Sequence, residues 1–328
     1  MSRAPSRWVV WGLLVAAVAI AVLFGLGVGP VPLTPGEALA ALRGVGDVTA
    51  VAIMRDIRAP RVALAALVGA ALAMSGASLQ GTLRNALAEP YLLGVSGGAA
   101  VGAVVAVALR APYPVVPIGA FGGAVGAVVL VLAIARAGGS RPDARILLMA
   151  GVIVGAFANA VIMIALASSP PDTTRNALWW MMGSVAAATW GHVAWLAAYA
   201  AVAGTALLVF APEIDVLALG DEAAAGLGVT VERAGRRAYV LASLLAAATV
   251  AAAGLVGFVG LVVPHLVRAR AGRQHRAVIA AAGLAGAALV IGADLVARTL
   301  RAPNELPLGA VTALGGVPFF LAQLRRFR

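Results

Sequence analysis

Nine stretches without a charged residue divide the chain: 8–36, 62–83, 90–109, 111–135, 146–171, 176–212, 238–267, 277–293 and 306–324. A helix needs about 20 apolar residues to cross a bilayer, so each stretch is a candidate span. The stretch 238–267 is the exception in length. As one helix its 30 residues would reach about 45 Å, against a hydrocarbon core of about 30 Å. It also holds "AGLVGFVG" at 253–260, where Gly254, Gly257 and Gly260 permit a turn. Split there, it supplies two short spans and the chain has ten. Trp8–Leu26, behind Arg3 and Arg7, is too long an apolar run for a secretory signal and reads as the first span.

Arginine placement chooses between the two topologies. With the N-terminus cytoplasmic and 238–267 split, 16 arginines fall inside and 8 outside; with one span there, 11 fall inside and 13 outside. Cytoplasmic loops are enriched in basic residues, which selects ten helices with both termini cytoplasmic, an all-α integral membrane protein. The chain then reads as one domain, 1–328. Segment 170–191 lies outside, and its Trp179, Trp180 and Trp190 suit a short surface helix at about 173–188. Segment 212–237 is the longest cytoplasmic loop. In it Gly220 and Gly228 bracket a helix-sized piece opened by Asp221 and Glu222, where a helix dipole favours acids. "LQGTLRNALAEPYLLGVSGG", at 79–98, is a polar turn between spans two and three, which puts Arg84, Asn85 and Glu89 at the cytoplasmic face before Pro90.

Composition agrees with the spans. The chain is 62% apolar and 11% charged, with mean hydropathy +1.00, whereas a soluble domain carries about 25% charged residues. The net charge of +11 therefore reads as loop arginine in a membrane chain, with no nucleic acid as partner. There is no cysteine, hence no disulfide or thiolate chemistry, and all 24 basic residues are arginine. Without lysine there is no phosphate-binding P-loop and no Schiff base.

Candidate chemistry is sparse. Secondary transporters usually place ionisable groups near the bilayer midplane, and these spans hold none. Asp294 and Arg298 are one turn apart at the outer end of span nine, as a local pair. His192, His265 and His275 are scattered, so no metal site is expected. "GVSGG" at 94–98 fits a nucleophile elbow in letters alone, with neither a histidine nor an acid beside it. Gly94, Gly98 and Gly102, Gly122 and Gly126, and Gly151 and Gly155 recur four apart, a spacing that lets helices approach closely. In "RDIRAPR" at 55–61, Arg58 and Arg61 lie on the side where arginine is disfavoured. They serve either as a snorkelling anchor for span two or as a docking surface for an acidic partner; spacing alone ranks the anchor first.

Four blocks resemble one family, the ten-span permease subunit of type II ATP-binding-cassette (ABC) importers for iron–siderophore, haem and vitamin B12 (the FecCD type). They are "GASLQGTLRNALAEPYLLGVSGGA" at 76–99, "LALGDEAAAGLGV" at 217–229, "GFVGLVVPHLVR" at 257–268 and "ADLVARTLRAPNELPLGAVTALGGVPFFLAQL" at 293–324. The family usually has proline after the Arg-Asn pair, where this chain has Ala86. The resemblance implies a multi-pass permease in the cytoplasmic (inner) membrane of a bacterium or archaeon, without enzymatic activity or a cofactor of its own. Its partners would be a second permease copy, in a homodimer, two ATPase subunits that bind ATP and magnesium, and a periplasmic or lipid-anchored binding protein. It implies docking through Arg58, Arg61 and Arg298. It also implies ATPase coupling through two short helices that include Leu219, Gly220, Ala224, Leu227 and Gly228. The inner turn of Arg84, Asn85, Glu89 and Pro90 is its signature. Pro142, Asp143 and Ala144 are a candidate cytoplasmic gate by position, and span five lines the path. A stand-alone secondary transporter is the alternative.

Overall fold

The computed structural model describes residues 7–112, 114–137 and 144–324. Among them are fourteen α-helices and no strand: α1 (Arg7–Gly27), α2 (Pro35–Arg43), α3 (Val48–Ala52), α4 (Ala59–Thr82), α5 (Val95–Ala108), α6 (Val115–Ala137), α7 (Ala144–Ala167), α8 (Pro171–Met181), α9 (Trp190–Leu217), α10 (Asp221–Gly226), α11 (Val231–Ala253), α12 (Val259–Ala271), α13 (His275–Thr299) and α14 (Leu308–Leu324). Seven are long and apolar enough to cross a membrane: α1, the continuous helix through α3 and α4, α6, α7, α9, α11 and α13. Three shorter ones, α5, α12 and α14, stand where the sequence places spans three, eight and ten. The chain does break at 254–258, between α11 and α12.

α4 lies at the centre, packed against α9, α11, α12 and α13. Seventeen of its 24 residues are buried, and two glycines make this possible. A Cβ on Gly69 would lie 2.0 Å from the Gly286 carbonyl of α13, and one on Gly76 would lie 1.9 Å from the Gly260 carbonyl of α12. Backbones in contact maximise dispersion between helices, the main attraction where lipid is as apolar as the side chains. Of the glycines singled out by spacing, Gly98 and Gly102 meet Gly123 and Gly119 of α6, and Gly151 meets the Leu92 carbonyl. Gly122, Gly126 and Gly155 face open space, so spacing of four did not identify the packed face.

Prolines shape the rest. Pro60 lacks an N–H for the preceding turn, and residues Ile53–Arg58 widen into a π-helical turn in which the Ala59 N–H reaches the Met54 carbonyl. Pro212 in α9 frees the Leu208 carbonyl, which accepts from Arg276 Nε of α13 at 3.0 Å. Pro264 in α12 frees the Gly260 carbonyl, which accepts from Gln80 Nε2 of α4 at 3.3 Å. In lipid a freed backbone group must find a partner inside the protein, and distant polar side chains supply it.

Several boundaries differ from the sequence reading. α1 ends at Gly27 and two short helices, α2 and α3, follow, because Thr34 and Glu37 form a capping box and Asp47 caps α3. The surface helix is Pro171–Met181, shorter than 173–188 at its far end, where Gly183 with φ 74° turns the chain. The 212–237 loop narrows to 218–230, because α9 runs through Pro212 and α11 begins at Val231.

Candidate functional site

At one end of the bundle the starts of α4 and the ends of α1 and α13 meet in a buried charge network. Arg61 Nε and Nη2 donate to Asp294, at 3.1 and 2.8 Å, while Nη1 and Nη2 donate to Glu305 at 2.6 and 2.9 Å. Arg298 Nε lies 3.7 Å from Asp294, and its Nη2 donates to the Gly25 carbonyl of α1. Arg58 donates to the carbonyls of Leu26, Gly27 and Val31. Arg58, Arg61 and Arg298 are only 3%, 6% and 4% exposed. The resemblance implies docking through all three arginines, whereas spacing reads Arg58 and Arg61 first as an anchor and Arg298 as the local partner of Asp294; the structure gives each an internal partner. The physical reason is desolvation: an arginine at this depth is stable only when paired or bonded to backbone oxygens. Asp294 does have its i,i+4 neighbour Arg298, yet its short contacts go to Arg61, 233 residues away in sequence. Glu305, which the sequence did not single out, has the one partly open carboxylate of the cluster, its side chain 38% exposed. A cleft of about 610 Å³ opens between α5, α6, α8 and the end of α11, lined in part by Arg110, Asn176, Trp179, Trp180 and His192.

The opposite end carries the signature turn. α4 closes with the Arg84 N–H on the Gly81 carbonyl and the Asn85 N–H on the Gln80 carbonyl. This is a Schellman motif with arginine where glycine is usual, and Arg84 accordingly has φ 50°. The Arg84 guanidinium reaches Asp221 Oδ1 at 2.8 Å, tying the turn to the first residue of α10. Asn85 Oδ1 accepts from the Leu87 N–H at 2.9 Å and fixes the next bend. Across 217–229, where two short helices are expected, there is one, the six-residue α10; 218–220 and 227–230 are the turns that join it to α9 and α11. Leu219 and Leu227 are exposed, Ala224 is fully buried, and Gly220 and Gly228 take φ of 111° and 82° at the two ends. Beside α10, Asp215 of α9 accepts from the N–H of His275 at 2.8 Å and faces its Nδ1 at 2.7 Å. His275, read as a loop residue, is the buried first residue of α13, and its ring packs on Gly81.

From Ala88 the chain climbs back into the bundle. Pro90 stacks on Gly260, which in turn faces the Leu72 carbonyl. Leu72 is ten residues above the end of α4, about 15 Å at 1.5 Å per residue. Glu89 therefore does not end at the surface turn. Its Oε1 accepts from the Phe258 N–H at 2.9 Å, and the Tyr91 hydroxyl accepts from the Val256 N–H at 3.1 Å. Three side chains, Gln80, Glu89 and Tyr91, thus hold the backbone at 256–261 through four bonds. That break is conformationally special: Gly254 has φ 69° and Phe258 has φ 67°. Ser96 donates to the Tyr91 carbonyl at 3.3 Å, a structural bond with no histidine beside it. Pro142 and Asp143 lie outside the described residues, and Ala144 opens α7.

This geometry has close counterparts. A model of the FecCD transport family matches residues 17–326. The chain belongs to the FecCD transport family. It is a multi-pass permease subunit of an ABC import family in the inner membrane of a prokaryote, and it is not an enzyme. The cobalamin import system permease of Halobacterium salinarum is 44% identical over 281 residues, 84% of this chain and 74% of that one. The hemin transport system permease of Yersinia pestis is 40% identical, over 84% of each chain. The achromobactin transport system permease of Dickeya dadantii is 39% identical over 96% of this chain and 90% of that one. A solved ABC transporter described as of metal-chelate type, in an inward-facing conformation, superposes with TM-score 0.87 at 27% identity, covering 97% of this chain and 99% of that one.

Proposed function

We propose that two copies of this chain form the ten-span permease pair of an ATP-driven importer for a metal chelate: a ferric siderophore, haem or cobalamin. The observation that carries the reading is the family match over residues 17–326 with relatives named for cobalamin, hemin and achromobactin. The missing lysine supports it, since ATP must be handled by separate subunits. With both termini cytoplasmic, the charge-network end faces out and the Arg84–α10 end faces the ATPases.

A binding protein docks at the outer end. Arg61 is the member of the network that can receive an acidic partner, because Glu305, its half-open counterion, can be exchanged for a carboxylate of the binding protein. Arg58 and Arg298 hold α1 to α4 and α13 and keep that platform in shape. The cleft beside Arg110, Trp179 and His192 offers an amphipathic, anionic chelate a cation and aromatic faces. Exposed Leu219 and Leu227 flank the ATPase contact on α10, and Gly220 and Gly228 are its hinges. The gate is assigned by position to Pro142, Asp143 and Ala144, ahead of α7.

The test is reconstitution. The permease, its ATPase and its binding protein in proteoliposomes should take up a labelled ferric chelate, haem or cobalamin only with ATP inside the ATPase compartment. Uptake by the permease alone on a proton or sodium gradient would instead establish a secondary transporter.

A further inference from the structure

The segment from Gln80 to Tyr91 touches two places that lie far apart: α10 at the surface, and the α11–α12 break inside the bundle. At the surface end Arg84 reaches Asp221 at 2.8 Å, beside Gly220. At the inner end Gln80, Glu89 and Tyr91 make four bonds to backbone atoms of Val256, Phe258, Gly260 and Leu261. Between the ends the segment is pinned. Leu83 and Ala88 are buried, Asn85 locks its own bend, and Pro90 fixes a backbone angle against Gly260.

Two details argue that this is more than a turn. Arg84 occupies a left-handed position that glycine fills without steric cost, yet the residue there is an arginine whose head group is used. Second, the break it holds is connected onward. The Phe258 ring lies against Gly316 of α14, where a Cβ would fall 2.7 Å from Phe258 Cβ. Gly309, at the start of α14, is similarly fitted to the Leu255 carbonyl. Gly254 and Phe258, both at positive φ, bound the five-residue break, so the whole bend lies between two intact helices.

We propose that residues 80–91 are a strut: Arg84 and Glu89 are positioning residues that transmit displacement of α10 to the α11–α12 break, and from Phe258 to α14. The inference rests on the importer reading for its driving force. Pulling α10 moves Asp221, Asp221 carries Arg84, and the pinned segment moves the Phe258 amide through Glu89.

Arg84→Gly separates this role from a plain turn. Glycine suits the left-handed position, so thermal stability of the purified permease should stay level or rise. Chelate taken up per ATP hydrolysed by the reconstituted importer should nevertheless fall about tenfold, within the usual range of coupling energies. Asp221→Ala should do the same, and the exchanged pair R84D/D221R should restore most of the ratio. Glu89→Gln keeps an oxygen for the Phe258 N–H and should remain coupled, whereas Glu89→Ala should not. Normal coupling in Arg84→Gly, or no rescue by the exchanged pair, overturns the strut. Absence of ATP-driven uptake by the unaltered complex is a different result and overturns the importer reading. In that case amide hydrogen exchange on the permease alone still decides. Arg84→Gly should speed exchange at Val256 and Phe258 about tenfold, and unchanged exchange there refutes the proposal.

Discussion

Removing the members of the Arg61 charge network one at a time should give a strict order of cost. Arg61 is the hub, facing Asp294 and Glu305 with three nitrogens. In Arg61→Ala, Asp294, 2% exposed, keeps only Arg298 Nε at 3.7 Å, beyond hydrogen-bond length. That strands a buried carboxylate and should cost about 5 kcal/mol, the upper end for breaking a buried pair. Asp294→Ala leaves Arg61 with Glu305, so its cost should sit near the lower end, about 3 kcal/mol. Glu305→Ala removes a partner whose side chain is 38% exposed, and Arg61 keeps Asp294; its cost should stay at or below about 1 kcal/mol. The apolar replacement R61M/D294L should cost less than Arg61→Ala, because no buried carboxylate is left unpaired: Glu305, freed of Arg61, is 38% exposed and takes water, although Arg298 loses its nearest anion. Equilibrium unfolding of the purified permease in mixed micelles, with helical circular dichroism as readout, measures all four. Equal losses for Arg61→Ala and Glu305→Ala, or a double variant worse than both singles, would refute the hub assignment.

Three further substitutions test the packing and the contact between α9 and α13. Gly76→Ala would put a methyl 1.9 Å from the Gly260 carbonyl and should abolish recovery of folded permease, whereas Gly122→Ala, facing open space, should leave yield and unfolding midpoint unchanged. His275→Ala removes the 2.7 Å contact with Asp215 and should lower stability by about 1.5–3 kcal/mol, as for a bond to a charged group; an unfolding midpoint equal to that of the parent would show that α9 and α13 do not depend on it.

The spans were legible because lipid imposes a simple rule, about 20 apolar residues per crossing, and the arginine count was enough to demand a break within 238–267. The break is there, at 254–258. Local turn chemistry was legible in part: the acidic start of α10 was expected from Asp221 and Glu222, and Asp221 is its first residue. Depth was not legible. Glu89 reads as a surface residue because it follows Arg84 and Asn85 by only a few positions, yet the chain turns inward at Ala88 and carries it to Phe258. Arg58 and Arg61 read as a snorkelling anchor or a docking surface, both of which leave the head group in water. Their partners, the carbonyls near Gly27 and the acids at 294 and 305, lie 27 to 244 residues away. No periodicity reports such pairings. The glycine rows were legible only in part: Gly98 and Gly102 pack on α6 as their spacing suggests, whereas Gly122 and Gly126 face open space, because which row faces a neighbour depends on helix rotation, which tertiary contacts set.

One signal in the sequence did carry information about distant contacts, and it is the prolines inside helices. Pro212 and Pro264 each free the carbonyl four residues earlier, and in lipid that oxygen must be satisfied. The structure supplies Arg276 and Gln80 from other helices. Polar residues in the spans of this chain therefore repair backbone where the helix is interrupted. Ser75, which donates to the Ala242 carbonyl at 2.7 Å, instead ties α4 to an uninterrupted stretch of α11. Such polar groups are spent on packing within the single chain. In the proposed dimer, the groups assigned to contact cargo are those that one copy leaves open, such as the exposed Met149, Phe157 and Met163 of α7. A path lined by such side chains excludes small hydrated ions, which need polar ligands in place of their water, and suits a bulky chelate whose own ligands already satisfy the metal.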